Sequence, residues 1–331
     1  MDNVAIKRAS IDPNVFELST NRQGLKKSKP LKALHELIQK AADCGLITRQ
    51  EIVSMIPVKL LDVQADDMIL DMCAAPGSKT SQMLEIIEAK SKDRPCIEVT
   101  GGVVANDMSS SRAWMLVHQI KRINTACMAV INHSGQHIPT LTDADTAEAY
   151  DKKYYFDKVL VDVPCSGDGA IRKLPMRWRS WGTKDAINIH KIQISLLIKA
   201  IQLTKPGGTI AYSTCSLNPI ENEAVLGHVL NLAETNSPGS LSLHNIGESI
   251  NGFKVRKGLS KWPVLIEKNF EGLRIGSRDI SKNYTSSDLF DEFTSFDSLQ
   301  KARKQEFPSK PYSQQAHYSQ QLHVEHSHRL S

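Results

Sequence analysis

The sequence of 331 residues predicts an α/β fold, in which a doubly wound, mostly parallel sheet carries helices on both faces, with a small helical N-terminal extension. Two observations predict this fold. From about residue 65, short apolar runs alternate with helical stretches, which is typical of a parallel sheet covered by helices. A loop of small residues follows the first apolar run, at the position where such sheets bind nucleotides.

The predicted strands are apolar runs that we expect to be buried. They are MILDM (68–72), GVVAN (102–106), CMAVIN (127–132), KVLVDV (158–163) and GTIAYS (208–213). The clearest helix covers residues 186–203, where apolar side chains recur at helical spacing, and Pro206, Gly207 and Gly208 are expected to end it. Together these elements describe an open sheet and not a barrel.

The segments on either side differ from this core in composition. Residues 1–30 form a basic arm, and residues 1–40 hold eight Lys or Arg against four acidic residues, as expected of an arm that contacts a polyanion. A solvated, flexible arm fits the charge equally well. Residues 31–62 predict a small helical region, and the main domain covers 63–282. Residues 283–331 are polar with weak periodicity, so we expect loops or disorder there.

Composition also excludes several classes of protein. No apolar run approaches the length of about 18 residues that spans a bilayer, and the N-terminus lacks the apolar core of a secretory signal, so we expect an intracellular protein. The cysteines are widely spread and form no CxxC pair, which argues against a disulfide framework or a zinc site, and no metal is expected. They are Cys44, Cys73, Cys96, Cys127, Cys165 and Cys215.

The loop LDMCAAPGSKT (70–80) joins the first strand to a helix. Pro76 and Gly77 would turn the chain sharply, and small residues before them let a ligand approach the backbone and the free amides of the helix start. A phosphate-binding P-loop is an alternative, but Met72 stands where its first glycine belongs and Ser78 separates Gly77 from the lysine. A P-loop NTPase is therefore disfavoured, and no GxGxxG dinucleotide pattern is present.

An acidic residue suggests a ligand that has a ribose but no phosphate at this loop. Asp107 follows the second strand, thirty residues after Gly77, where a carboxylate can hold both ribose hydroxyls. An aspartate at a helix N-terminus is the alternative interpretation of this residue alone. Taken with the loop, Asp107 makes S-adenosylmethionine the leading candidate cofactor.

Two cysteines end neighbouring strands of the predicted sheet. VDVPCSGDG (161–169) carries Asp162 and Cys165, and YSTCS (212–216) carries Cys215, so two thiols and a carboxylate are expected to face one crevice. Carbon 5 of cytosine is too poor a nucleophile to attack a methyl sulfonium, but addition of a thiolate to carbon 6 turns the ring into an enamine that can. A buried, inert thiol is the alternative for either cysteine alone.

Three motifs carry a resemblance to a known family. DMCAAPGSKT, DVPCSGDG and YSTCSLNPIENEA, in this order, resemble the Sun-domain family of RNA cytosine-5 methyltransferases, and ITRQEIVSMIP (47–57) and LVHQIKRI (116–123) are similar to its eukaryotic tRNA-methylating branch. The resemblance covers about residues 20–233. It implies a Rossmann-like class I methyltransferase fold for residues 63–282, with S-adenosylmethionine as cofactor.

The resemblance also implies roles for individual residues. Cys215 would attack carbon 6 of cytosine, Cys165 would assist product release, and Asp162 would contact the base near the cofactor. The cofactor would be held by the residues Cys73, Ala74, Ala75, Pro76, Gly77, Ser78, Lys79, Asp107, Ser134 and Asp162. Ser134 stands where the tRNA-methylating branch has an Asp. The chain stops about where the family continues into a Gly-Phe-rich strand, so we expect a truncated product or an incomplete gene model.

A basic and aromatic stretch follows Cys165 and suits an unstacked RNA strand. Its candidate RNA-binding residues are Arg172, Lys173, Arg177, Trp178, Arg179 and Trp181. Tryptophans that fill the core and solvated arginines are the alternative. The sequence thus predicts a monomeric RNA cytosine-5 methyltransferase acting on tRNA, with ribosomal RNA as the second substrate class and a weakly active RNA-binding remnant as the other hypothesis. We expect it in the nucleus, with the cytoplasm as the alternative.

Overall fold

The computed structural model describes residues 6–20, 24–26, 28–95, 98–142, 153–245, 255–260 and 262, and the backbone of the strand at 317–324. The helices are α1 (Lys29–Asp43), α2 (Ile52–Leu61), α3 (Ser78–Ser91), α4 (Ser110–Ile120), α5 (Arg177–Ser180), α6 (Thr183–Leu203) and α7 (Glu223–Asn236). The strands are β1 (Ile6–Arg8), β2 (Phe16–Leu18), β3 (Met68–Asp71), β4 (Gly102–Asn106), β5 (Met128–Ile131), β6 (Leu141–Thr142), β7 (Lys153–Tyr154), β8 (Phe156–Asp162), β9 (Thr204–Cys215), β10 (Leu241–His244) and β11 (His317–Val324).

A seven-stranded sheet organises the domain, in the order β10-β11-β9-β8-β3-β4-β5. The run from β9 to β5 is parallel, whereas β11 pairs antiparallel with both β9 and β10. The parallel strands alternate with α3, α4 and α6, which confirms the predicted α/β class. The order reverses between β3 and β8, so a crevice opens there at the carboxyl ends of these strands.

The apolar core lies on both faces of the sheet. On one face, buried residues of β8 and β9 pack against α6 and α7, with Leu197 and Val225 among them. On the other face, Ile69, Val103 and Leu116 belong to a cluster that also includes the inner side of α3. Because the central strands are covered on both sides, their residues read as continuous apolar runs in the sequence.

Three expectations about these elements need correction. The run at 127–132 does form β5, but its residues are only partly buried because β5 lies at the edge of the sheet. The long helix ends at Leu203, and Pro206 to Gly208 lie inside β9, where Gly207 adopts a φ of 75°. Residues 317–324 form β11 and not loops, since they supply the backbone hydrogen bonds that β9 and β10 need.

The N-terminal region packs beside the main domain. Residues 31–62 contain most of α1 and all of α2, as the sequence predicts, and Glu51 precedes the first turn of α2. Gly45 at a φ of 74° lets the chain leave α1, and a Cβ there would lie 1.9 Å from the carbonyl oxygen of Arg122. Most of residues 1–30 is described, but residues 283–316 and 325–331 lie outside the described part. No helix within the described residues has the length and apolar character of a membrane span.

Candidate active site

The loop after β3 is held by backbone and side-chain hydrogen bonds. The Ala74 N–H donates to the carbonyl oxygen of Asn106 over 2.7 Å, and the Gly77 N–H donates to the carbonyl oxygen of Ala74 over 2.8 Å. Gly77 has a φ of 106° and immediately precedes α3. A Cβ there would lie 2.8 Å from Leu116 Cδ1, so this turn is tightly packed against α4. Both the positive φ and the close approach of Leu116 therefore require glycine at position 77.

Asn106 ties together the ends of three parallel strands. Its side chain is fully buried. Its Nδ2 donates to the carbonyl oxygens of Met72 and His133 over 2.9 and 3.0 Å, and its Oδ1 accepts the His133 N–H over 2.8 Å. Met72 follows β3 and His133 follows β5. The side chain thereby fixes the loops that follow β3 and β5 against the end of β4.

Asp107 lies where the sequence predicts, in the turn between β4 and α4. It is buried, and its Oδ2 accepts the Ala75 N–H over 3.3 Å and lies 3.2 Å from Arg112 Nη2. Its Oδ1 accepts the Ser109 N–H over 3.0 Å. The Arg112 guanidinium also donates to the carbonyl oxygen of Ala75, over 2.5 Å. Asp107 and the small-residue loop are therefore parts of one hydrogen-bonded unit.

Lys79 brings the same loop into contact with the end of β8. Its Nζ lies 2.7 Å from Asp162 Oδ2, and both side chains are largely buried. Ser213 Oγ donates to the other carboxylate oxygen, Oδ1, over 2.7 Å. Asp162 therefore connects the start of α3 to Ser213 of β9, and Ser213 lies two residues before Cys215.

The two cysteines lie on adjacent strand ends, as predicted. The register of β8 and β9 pairs Asp162 with Ser213, so Cys165 and Cys215 follow in neighbouring loops. Cys165 is fully buried, and Cys215 is half-buried. Burial raises the pKa of the Cys215 thiol to about 12, and the Asp162 carboxylate adds to the rise, while Lys79 and Lys173 act in the opposite direction. The thiol is therefore protonated in this state of the protein.

Residues 58–268 match the family model described as 16S rRNA methyltransferase RsmB/F. The chain belongs to this family. The match confirms the resemblance to the Sun-domain methyltransferases, and it includes the loop after β3 and both cysteine loops of this RsmB/F family member.

Two curated relatives are similar over most of the chain. A tRNA (cytosine(34)-C(5))-methyltransferase from Drosophila melanogaster is 43% identical over 251 residues, which is 75% of this chain and 32% of the relative. A multisite-specific tRNA:(cytosine-C(5))-methyltransferase from Saccharomyces cerevisiae is 39% identical over 253 residues, with 76% of this chain and 36% of the relative covered. The chain thus spans about a third of the length of these relatives.

Solved structures support the fold of this RsmB/F family member. A methyltransferase homolog protein from Pyrococcus horikoshii superposes with a TM-score of 0.52 at 26% identity, over 73% of this chain and 64% of that structure. The protein titled PH0851 gives a TM-score of 0.55, also at 26% identity, over 73% of this chain and 46% of that structure. The Rossmann-like class I methyltransferase fold predicted from the sequence is confirmed.

The residues beside β3 suit S-adenosylmethionine chemically. Asp71 is buried at the end of β3, where Thr80 Oγ1 donates to its Oδ2 over 2.7 Å. Its Oδ1 has no hydrogen-bond partner among the described residues. Burial raises the pKa of Asp71 to about 7, and the nearby Asp162 adds to the rise. An unmatched carboxylate oxygen beside a loop of small residues fits the ammonium of the methionyl part of this cofactor.

Two further predicted cofactor residues, Ser134 and Cys73, lie in the loops after β5 and β3. Ser134 lies in the loop after β5, where its hydroxyl donates to Gln136 Oε1 over 2.5 Å. Its neighbours make the contacts to β4, since Asn132 Nδ2 donates to the carbonyl oxygen of Asp107 over 2.6 Å. Cys73 lies in the loop after β3, and burial raises the pKa of its thiol above the usual range, which disfavours the thiolate.

The predicted RNA-binding residues lie in and around the short helix α5, in the stretch that follows the Cys165 loop. Arg172, Trp178 and Arg179 are exposed, with Trp178 at 70% exposure, and Lys173 forms an ion pair with Glu51 at the start of α2. Arg177 and Trp181 are half-buried. The indole Nε1 of Trp181 is buried with no hydrogen-bond partner among the described residues. The two tryptophans thus differ, because only Trp178 offers a free ring face.

Sequence reasoning missed the polar residues that hold these loops in place. They are Asp71, Asn106, Ser213 and Glu221, all of them buried. Glu221 lies inside the quoted motif YSTCSLNPIENEA, and a glutamate among turn residues gives no indication of burial. Within the described part of the chain, no three His, Cys, Asp or Glu side chains are grouped so that they could bind a metal ion.

Proposed function

We propose that this protein transfers a methyl group from S-adenosylmethionine to carbon 5 of a cytosine in RNA, through a covalent bond between Cys215 and carbon 6. The observation that carries this proposal is the contact network around Asp162. This carboxylate joins Lys79 of the small-residue loop to Ser213 on the strand that bears Cys215. A cofactor at the loop and a base at Cys215 would therefore share one crevice.

Cys215 is the residue best suited to nucleophilic attack. It is half-buried, whereas Cys165 is fully buried, so an incoming base reaches the Cys215 sulfur first. The thiol must lose its proton before it adds, and the cationic Lys79 and Lys173 favour the thiolate. The new bond joins the Cys215 sulfur to carbon 6, and carbon 5 gains the electron pair that takes up the methyl group.

The second half of the reaction must restore the aromatic ring. A base removes the proton from carbon 5, the bond between sulfur and carbon 6 breaks, and the Cys215 thiolate leaves. Cys165 is the group that we assign to assist this release, since it lies at the adjacent strand end. Asp162 would stabilise charge near nitrogen 3 during the addition. S-adenosylmethionine supplies the electrophilic methyl group when bound.

The exposed residues after Cys165 support RNA as the substrate. Arg172 and Arg179 offer positive charge for phosphates, and the ring of Trp178 offers a face on which a base can stack. The target base has to leave its stack to reach a half-buried sulfur. The surface formed by these residues lies next to the loop that carries Cys165.

Transfer RNA is the substrate class that we propose. The relatives from Drosophila melanogaster and Saccharomyces cerevisiae are named as tRNA methyltransferases. They are 43% and 39% identical to this chain over about three quarters of its length. Ribosomal RNA is the second candidate, because the family description names 16S rRNA. We further propose that the protein acts as a monomer and in the nucleus, in line with the basic residues of its N-terminal arm.

The test is methyl transfer from labelled S-adenosylmethionine to unmethylated total tRNA, with rRNA as a parallel substrate. We expect label in cytosine with the wild-type protein and its loss in Cys215→Ala. Cys44→Ala, which removes an exposed thiol outside the crevice, serves as the matched control and keeps full activity. A folded wild-type protein that labels neither RNA would contradict the proposal, and label on rRNA alone would reassign the substrate.

A variant at the second cysteine tests the assignment of Cys165. Cys165→Ala should still form the bond between Cys215 and carbon 6 but release the RNA slowly, so a protein–RNA adduct stable to denaturing gel electrophoresis accumulates. The double variant with Cys215→Ala should form no such adduct. Normal turnover by Cys165→Ala would overturn its role in release.

A further inference from the structure

Glu221 lies beneath the loops that follow β8 and β9, and its side chain is fully buried. Its Oε2 accepts the Ser166 N–H over 2.8 Å and Gln193 Nε2 over 3.1 Å. Its Oε1 lies 2.5 Å from Ser166 Oγ and 2.7 Å from Ser216 Oγ. One carboxyl group therefore contacts both loops.

Each of the two serines that contact Glu221 is the neighbour of a cysteine in the chain. Ser166 directly follows Cys165, and Ser216 directly follows Cys215. The Glu221 carboxyl therefore contacts the residue that directly follows each thiol.

The hydroxyl of Ser216 lies between two carboxyl groups. Its Oγ is 2.7 Å from Glu221 Oε1 and 2.9 Å from Asp168 Oδ1. A hydroxyl has a single proton and can donate to only one of these oxygens. If both carboxyls were ionised, one of the two close oxygen–oxygen contacts would have no proton between its atoms.

The burial of the two carboxyls decides which of them holds the additional proton. Asp168 is half-buried and accepts the N–H groups of Gly169 over 3.0 Å and Leu217 over 3.1 Å. Glu221 is fully buried, and burial raises its pKa, although the donors Ser166, Ser216 and Gln193 act in the opposite direction. A protonated Glu221 can donate to Ser216, which in turn donates to Asp168.

Two other ionisable side chains near Glu221 contact backbone carbonyl oxygens of this segment. Tyr212 OH donates to the backbone carbonyl oxygen of Glu221 over 2.6 Å. The ring of His190 contacts the carbonyl oxygen of Ile220 through Nδ1, also over 2.6 Å. The side-chain oxygens are contacted by Ser166, Ser216 and Gln193, which are all neutral.

We propose that Glu221 is a positioning residue, held as a neutral carboxylic acid, that fixes the two cysteine loops relative to each other. The kinetic part of this proposal rests on the proposed function, because it concerns attack by Cys215 and release assisted by Cys165. The protonation of Glu221 does not rest on it, since protonation is inferred from the burial of this side chain and from the position of Ser216 Oγ between two carboxyl groups.

The kinetic test compares a neutral isostere with a truncation. Glu221→Gln keeps the size and neutrality of the side chain, and its amide nitrogen can donate to both serine oxygens while its oxygen accepts from Ser166 N–H and Gln193. We expect kcat within about 3-fold of the wild type for Glu221→Gln, a change below 1 kcal/mol. Glu221→Ala should lower kcat by about 100-fold with little change in the KM for RNA, because the loops shift. Equal damage by both variants would overturn the proposal.

Two further measurements make the outcome independent of activity and of folding. The infrared spectrum at neutral pH should contain the carbonyl stretch of a buried carboxylic acid, and Glu221→Gln should remove this band when both proteins also carry Asp71→Asn, because Asp71 titrates near pH 7 as well. If the wild type shows no such band, the neutral carboxyl is refuted even when no RNA is methylated. If Glu221→Ala unfolds, Ser216→Ala replaces it as the milder break, and an unchanged kcat in that variant would overturn the positioning role.

Discussion

Lys79 Nζ lies 2.7 Å from Asp162 Oδ2, so one ion pair joins the first turn of α3 to the last residue of β8. The pair connects the candidate cofactor loop with the candidate catalytic strand ends. Burial raises the pKa of the Cys215 thiol, and the Asp162 carboxylate adds to the rise. The same side chain therefore positions Lys79 and contributes to the protonation of the nucleophile.

Asp162→Asn should separate these two effects. Removal of the negative charge lowers the pKa of Cys215, so alkylation of this thiol at neutral pH becomes faster than in the wild type, while methyl transfer falls. Mass spectrometry of the peptide that contains Cys215 measures the alkylation rate. Asp157→Asn is the matched control, because Asp157 pairs with Lys205, also over 2.7 Å, at the other end of β8. Slower alkylation in Asp162→Asn would contradict this assignment.

Gly77→Ala should destabilise the protein by about 1–3 kcal/mol, because an alanine at positive φ is strained. The added Cβ would also press on Leu116, 2.8 Å away. Urea denaturation gives the change in the free energy of unfolding. Gly227→Ala in α7 is the control, since a Cβ there meets nothing within 4 Å. That change should stabilise the protein by about 0.5–1 kcal/mol.

Trp178→Ala should weaken RNA binding without any loss of stability, because the side chain is 70% exposed. Loss of one stacked base corresponds to an increase in Kd of about 5- to 100-fold. Fluorescence anisotropy with a labelled tRNA measures the affinity. Trp114 on α4 is 72% exposed and lies outside the stretch that follows Cys165, so Trp114→Ala is the matched control. Equal losses of affinity in both variants would argue against a specific role of Trp178.

Asp71→Asn should flatten the pH dependence of stability. Burial raises the folded-state pKa of Asp71 from 3.8 to about 7, so the folded protein binds the proton more tightly than the unfolded chain. The free energy of unfolding therefore falls as the pH rises between these two values. Urea denaturation across this window should show a smaller fall in Asp71→Asn than in the wild type. Asp66→Asn is the control. The hydrogen bond from Arg94 lowers the pKa of Asp66 to about 2, so the folded-state carboxyl does not titrate between pH 3.8 and 7.

Much of the fold follows from the apolar pattern of the sequence. The five predicted strands all form, since the alternation of strands and helices leaves little choice of topology once right-handed crossovers are assumed. The edge strand β5 is less buried than its apolar sequence suggests, because burial depends on the neighbours of a strand and not on its composition. The strand β11 is polar, HYSQQLHV, and so has no pattern that marks it as part of a sheet.

The candidate site could be located from the sequence, but its supporting contacts could not. Cys165, Cys215 and Asp162 follow predicted strands, and parallel strands bring their carboxyl ends together. The burial of Asn106 and Glu221 depends on contacts between residues that are far apart in the chain. For Glu221 the donor Ser166 lies 55 positions away. Such pairings become visible only in three dimensions.

The place of β11 in the sheet has a consequence for biosynthesis. This strand pairs with β9 and brings His317 opposite Cys215, although more than a hundred positions separate them along the chain. While the ribosome is still making the intervening segment, the backbone groups on that side of β9 have no β11 to bind. The emerging chain then exposes an unpaired strand edge, which can pair with another chain. The sheet is completed only when translation has passed residue 324.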